Sequence, residues 1–89
     1  MNTVEIVHLR SSGESLESLA ERIKESIWND SGGATVTILR RNGLESDIAI
    51  HIRHRQVHEG NGPSTLAFNL ANALRTFGIV EHTVWEELS

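Results

Sequence analysis

Residues 34–55, ATVTILRRNGLESDIAIHIRHR, carry two runs of alternating apolar side chains on either side of Asn42-Gly43. A period of two sends successive side chains to opposite faces of a strand. Asn-Gly supplies the positive φ that a tight hairpin turn demands. The segment is therefore expected to be an antiparallel hairpin, and its register decides which face is apolar. A plain turn pairs Arg41 with Leu44 and Val36 with Ala49, which leaves Ile48, Ile50 and Ile52 opposite threonines. Shifting by one residue pairs Val36 with Ile50, Ile38 with Ile48 and Arg41 with Glu45. One step of slip exchanges every side chain between core and solvent, so the shifted register is the one expected, with a slightly longer loop or a bulge at the turn.

A helix and a strand flank this hairpin on each side. TVEIVHLRS (3–11) is rich in β-branched residues and alternates, as a strand does. In 12–33 the period changes: Leu16, Leu19, Ala20, Ile23 and Ile27 repeat at helical spacing, with Ser15 as N-cap and Gly32-Gly33 as the stop. A second helix over 62–79 opens at Pro63-Ser64, turns Leu66, Leu70, Ala73, Leu74 and Phe77 inward, and ends on a left-handed Gly78. IVEHTVWEEL (79–88) alternates again.

The order β-α-β-β-α-β predicts an α+β fold, the ferredoxin-like split sandwich. It is a four-stranded antiparallel sheet in the order 4-1-3-2 with both helices on one face. The expected helix-facing layer is Val4, Ile6, Val36, Ile38, Ile48, Ile50, Ile52, Val80 and Val84. The open face is expected to carry Val7, Leu9, Leu39, Ala49 and Trp85 as an apolar centre, among Thr35, Thr37, His51, Arg53 and Thr83. An apolar patch of that kind marks a partner or ligand surface.

Eighty-nine residues suit a single domain spanning 1–89. The net charge of −4 argues against nucleic acid as a partner, since phosphate binding calls for a basic excess. The chain has no cysteine, which removes thiolate catalysis and cysteine-held metals and suits the cytoplasm. No apolar run approaches the ~20 residues of a membrane helix. The fold hosts many activities, so residues must choose between them. The aromatic platforms of an RNA-recognition motif are absent from the central strands. The cysteine pair of a heavy-metal domain is also absent, as are the glycine-rich loop of an acylphosphatase and the Pro-Gly helix start of an amino-acid-binding regulatory domain. In element order and length the whole chain resembles the dimeric α+β barrels. That resemblance implies association through the open sheet faces, in a superfamily that includes small cofactor-independent monooxygenases. It is carried by topology and by no particular motif.

HIRHRQVHEGNGPST (51–65) holds the densest set of chemically active residues. His51 and His54 face opposite ways on a strand, so they do not grip one metal ion, and no metal is expected. Gly60, Gly62, Ser64 and Thr65 surround a helix N-terminus, where free N–H groups favour an anion. His51, Arg53, Arg55 and His58 come from the strand and loop before it. Turn formation and capping by Ser64 account for the same residues without a ligand. His8 and His82 fall on neighbouring strands and are candidates for a proton-handling pair. No nucleophile, base and orienting group stand together, so no catalytic residue and no cofactor are expected. The leading expectation is a non-enzymatic module that self-associates as a homodimer, or binds a protein partner, through Val7, Leu9, Leu39, Ala49 and Trp85. The alternatives are a cofactor-independent enzyme or small-ligand binder, with His51 as base and Arg53 on an acidic group, and a module that binds a small anion at the start of the second helix.

Overall fold

The computed structural model describes residues 3–11, 16–30, 34–43, 46–54 and 64–88, with the side chains of the first helix described from 17 to 25. The elements are β1 (Thr3–Ser11), α1 (Leu16–Asp30), β2 (Thr35–Arg40), β3 (Asp47–His54), α2 (Thr65–Leu74) and β4 (Gly78–Glu86), with a 3-10 turn at Arg75–Phe77 between the last two. The four strands form one antiparallel sheet in the order β2-β3-β1-β4. This is the split sandwich expected, read from the other edge. No helix among the described residues is long and apolar enough to cross a membrane.

The core lies between the helices and one sheet face. Ile48, Ile50 and Ile52 of β3 are buried there, with Leu19 and Ile23 of α1 and Leu66, Ala67, Leu70, Ala71 and Leu74 of α2. Burying each large aliphatic contributes about 1.5–3 kcal/mol. Val36, Ile38, Phe77 and Val80 pack against this cluster from its margins. The Arg22 guanidinium lies 5.1 Å from the centre of the Phe77 ring, within cation–π range.

Strand β1 has the opposite phase to the one expected. Val7 and Leu9 are 0% exposed in the helix-facing core, and Val4 and Ile6 are half-buried on the open face. The strand is apolar on both faces and carries polar side chains on both, Glu5 on one and His8 and Arg10 on the other, so its alternation alone does not fix the phase. A glutamate normally marks the solvent side. Here Glu5 is fully buried between the sheet and α2, where partners for its carboxylate are built in.

The hairpin register also differs. Val36 pairs with Ile52, Ile38 with Ile50 and Arg40 with Ile48, two residues beyond the expected pairing. Two steps preserve the faces, so the isoleucine row stays inward. The connection is longer, closing with the Arg41 N–H donating to the Asp47 carbonyl at 3.2 Å. Gly43 within it has φ +83, as the Asn-Gly reading requires. Ala73 is exposed, not inward, because the buried face of α2 runs through Leu66, Ala67, Leu70, Ala71 and Leu74 and Ala73 lies off it. Gly78 starts β4 opposite Ser11 instead of capping α2. A Cβ there would stand 2.0 Å from the Arg10 carbonyl oxygen, so close backbone approach is what glycine permits at this position.

Candidate functional site

Two clusters of chemically active residues flank the sheet, one on each face. On the helix side, Glu5 sits at the N-terminus of α2. The Ser64 backbone N–H donates to Glu5 Oε1 at 2.8 Å and the Ser64 hydroxyl donates to Oε2 at 2.5 Å. Ser64 Oγ in turn accepts from the Ala67 N–H at 3.2 Å, the N-cap bond expected of this residue. His54 Nε2 lies 2.6 Å from Glu5 Oε2, and His82 Nε2 lies 3.2 Å from Oε1. Burial pushes the Glu5 pKa up, but the hydrogen bonds from Ser64 and His54 outweigh it and hold the carboxyl below its ordinary range.

This arrangement corrects the anion reading. The anion at the start of α2 is the chain's own Glu5 carboxylate. Ser64 is engaged by it, and Thr65 is exposed in the first turn. His51 and Arg53 belong to the opposite sheet face, so the sheet separates them from Ser64. Arg53 forms an ion pair with Glu87. Arg55, His58, Gly60 and Gly62 lie outside the described residues. His51 and His54 do face opposite ways.

The open face forms four cross-strand rows, set by the strand registers. Thr35, Arg53, Val4 and Trp85 make the first, and Thr37, His51, Ile6 and Thr83 the second. Leu39, Ala49, His8 and Glu81 follow, and Asp47 and Arg10 pair beyond them. Across these rows runs a cleft of about 520 Å³. Ile6, Leu39, Ala49, Thr83 and Trp85 line its apolar stretch, while His8, Arg40, Arg41, Asp47 and Glu81 line its charged end. Leu39 is 41% and Trp85 57% exposed, and the indole N–H donates to Thr83 Oγ1 at 2.8 Å. Of the five residues expected as an interface centre, Leu39, Ala49 and Trp85 occupy this face. Val7 and Leu9 do not, for the reason of phase given above, and Val4 and Ile6 stand in their place.

At the charged end, His8 Nε2 lies 3.0 Å from Asp47 Oδ2. Asp47 is only 2% exposed, whereas the His8 side chain is 34% exposed. The Ser46 hydroxyl donates to Asp47 Oδ1 at 2.9 Å. Arg10 and Arg41 approach the same carboxylate at 3.9 and 3.6 Å. The Ser46 hydrogen bond works against the desolvation of the carboxylate and, aided by His8 and Arg10, holds the Asp47 pKa below its ordinary range. His8 and His82 lie on opposite faces of the sheet, because β1 pairs His8 with Glu81 and Val7 with His82. They form no proton-handling pair. Sequence reasoning missed both real groupings: it placed His8 on the core side, and gave Asp47 and Glu5 no part. The contact between β1 and the start of β3 is set by register across 39 residues, and no local motif announces it.

A search by sequence finds no matching protein family and no matching characterised protein. Solved structures do match in fold. Rv0793 from Mycobacterium tuberculosis superposes with a TM-score of 0.70 at 12% identity, over 100% of this chain and 97% of that one. SnoaB, a cofactor-independent oxygenase from Streptomyces nogalater, superposes with a TM-score of 0.67 at 15% identity, over 99% of this chain and 94% of its own. A mutant form of SnoaB gives 0.66 at 16% identity, over the same shares of the two chains. At these identities the likeness shows the fold, and the chain shares the ferredoxin-like α+β architecture of these proteins.

Proposed function

We propose that the chain is a self-associating domain whose open sheet face meets a second copy of itself, enclosing the cleft as a small-molecule chamber between two sheets. The observation that carries this reading is the one-sided sheet. Helices cover one face, and the other leaves Leu39 and Trp85 exposed over the cleft. An uncovered apolar face of this kind favours association, and aromatic side chains contribute heavily at such centres. The charges suit an isologous pairing. A two-fold axis running along the strands sets the β2 side, with exposed Arg41, over the β4 side of the second copy, with exposed Glu81. A sequence without cysteine fits a reducing compartment, the cytoplasm among them.

Light scattering across a tenfold range of concentration tests this. A mass of twice the chain is expected, and Trp85→Ala is expected to shift it toward the single chain while leaving the helical circular dichroism intact. A single-chain mass throughout refutes the reading.

A second reading is favoured by one observation, the histidine ring held by a buried carboxylate at the cleft's charged end. A positioned base beside an apolar cleft is what an enzyme without a cofactor needs for proton transfer. SnoaB, which shares the fold, is itself a cofactor-independent oxygenase.

A further inference from the structure

We propose that His8 is a proton-abstracting base, held in its reactive tautomer by Asp47, acting on a small 2-oxo acid with an apolar body. This deepens the second reading above and rests on it. The geometry supplies the parts. Asp47 accepts from His8 Nε2 at 3.0 Å. A carboxylate in that position keeps the imidazole proton on Nε2, fixes the ring and leaves the lone pair on Nδ1. Nδ1 has no partner among the described residues. Asp47 does not face a substrate as freely as His8, being buried where His8 is one-third exposed, so it is a positioning residue.

The substrate class follows from the rest of the lining. Arg40 lines the cleft, is exposed, and makes no ion pair among the described residues, so a carboxylate fits beside it. Ile6, Leu39 and Trp85 offer an apolar wall for the body of the molecule. Among the described lining residues the only hydroxyl is that of Thr83, whose oxygen accepts from the Trp85 indole N–H. No base is hydrogen-bonded to that hydroxyl among the described residues, whereas His8 is held in place by Asp47, so proton transfer is the chemistry this lining favours. In the step, the C–H bond next to the keto group breaks and its proton passes to His8 Nδ1. The electron pair forms the C=C bond of the enolate, and the carbonyl oxygen takes the negative charge. Return of the proton from the imidazolium restores the ketone or, on oxygen, gives the enol. No oxidant or reductant is required.

Phenylpyruvate is the probe, and loss of its methylene signal in D2O, followed by proton NMR, is the measurement. The parent chain is expected to exchange that proton at least tenfold faster than His8→Gln, and faster than free imidazole at the same concentration. Asp47→Asn is expected to slow exchange several-fold. Long-range nitrogen-15 spectra are expected to show the Nε2–H tautomer of His8 in the parent and a mixture in Asp47→Asn. Equal rates for the parent and free imidazole, or a proton on Nδ1 in the parent, overturn the proposal even if His8→Gln does not fold. The Trp85 indole N–H resonance separates the two readings. If phenylpyruvate shifts it without faster exchange, the cleft binds small molecules and the base role falls. With neither, both fall.

Discussion

Replacing Glu5 by glutamine barely changes the side chain's volume and should cost the fold a large part of its stability. The Glu5 carboxylate takes donors from Ser64 N–H, Ser64 Oγ and His54 at 2.8, 2.5 and 2.6 Å. A glutamine amide has a single acceptor oxygen. If that oxygen takes the Oε2 position, the amide NH2 faces the Ser64 N–H, and a buried backbone donor loses its partner, at about 1–3 kcal/mol. The two bonds that remain lose their charge assistance, at roughly 1 kcal/mol each. The sum, about 3–5 kcal/mol, corresponds to a fall of roughly 12–40 °C in Tm for a chain of this size. Thermal and urea unfolding followed by circular dichroism measure it. The pH dependence adds a second check. The folded pKa of Glu5 is lowered, so its contribution is fully present above the unfolded glutamate pKa of about 4.3 and is lost as pH falls through the folded value. The gap between parent and Glu5→Gln should therefore be widest near neutrality and shrink below about pH 4. A variant as stable as the parent at pH 7, or a gap that does not change with acid, refutes the reasoning.

Two other substitutions probe the frame. Gly78→Ala forces a Cβ against the Arg10 carbonyl oxygen, 2.0 Å away. It should lower Tm clearly, and an unchanged melt would show that β4 can shift away from β1. Ile50→Ala empties a fully buried site in the central isoleucine row and should cost about 2–5 kcal/mol in urea unfolding; a loss below about 1 kcal/mol would place Ile50 outside the packed core.

The element order was legible in the sequence because each element rests on a local signal (period two, period 3.6, or an Asn-Gly turn), and the strand order followed from the split-sandwich topology that this element order implies. The phase of β3 was legible too, since Ile48, Ile50 and Ile52 alternate with the far less apolar set of Ala49, His51 and Arg53. The phase of β1 was not. With Val4, Ile6, His8 and Arg10 on one side and Glu5, Val7 and Leu9 on the other, alternation does not decide, and Glu5 belongs to the core because Ser64, 59 residues away, hydrogen-bonds to it. That error carried into the candidate site. It moved His8 off the open face, and with it the contact to Asp47. The Ser64 cap was readable from Pro63-Ser64-Thr65, but not that the same serine holds a carboxylate. Leu39, Ala49 and Trp85 were placed well because β2, β3 and β4 each carry a clean alternation.

The central position of β1 has a consequence for how the chain reaches this fold. It pairs with β3 on one side and β4 on the other, yet it precedes both in the sequence. During synthesis, β1 leaves the ribosome with neither partner, gains the first only after the hairpin forms, and keeps one edge unpaired until β4 emerges. Non-local pairing of this kind slows folding and exposes strand edges meanwhile. The interval before β4 arrives is when a nascent chain is most open to pairing with a neighbour, and slowing translation across α2 should lengthen it.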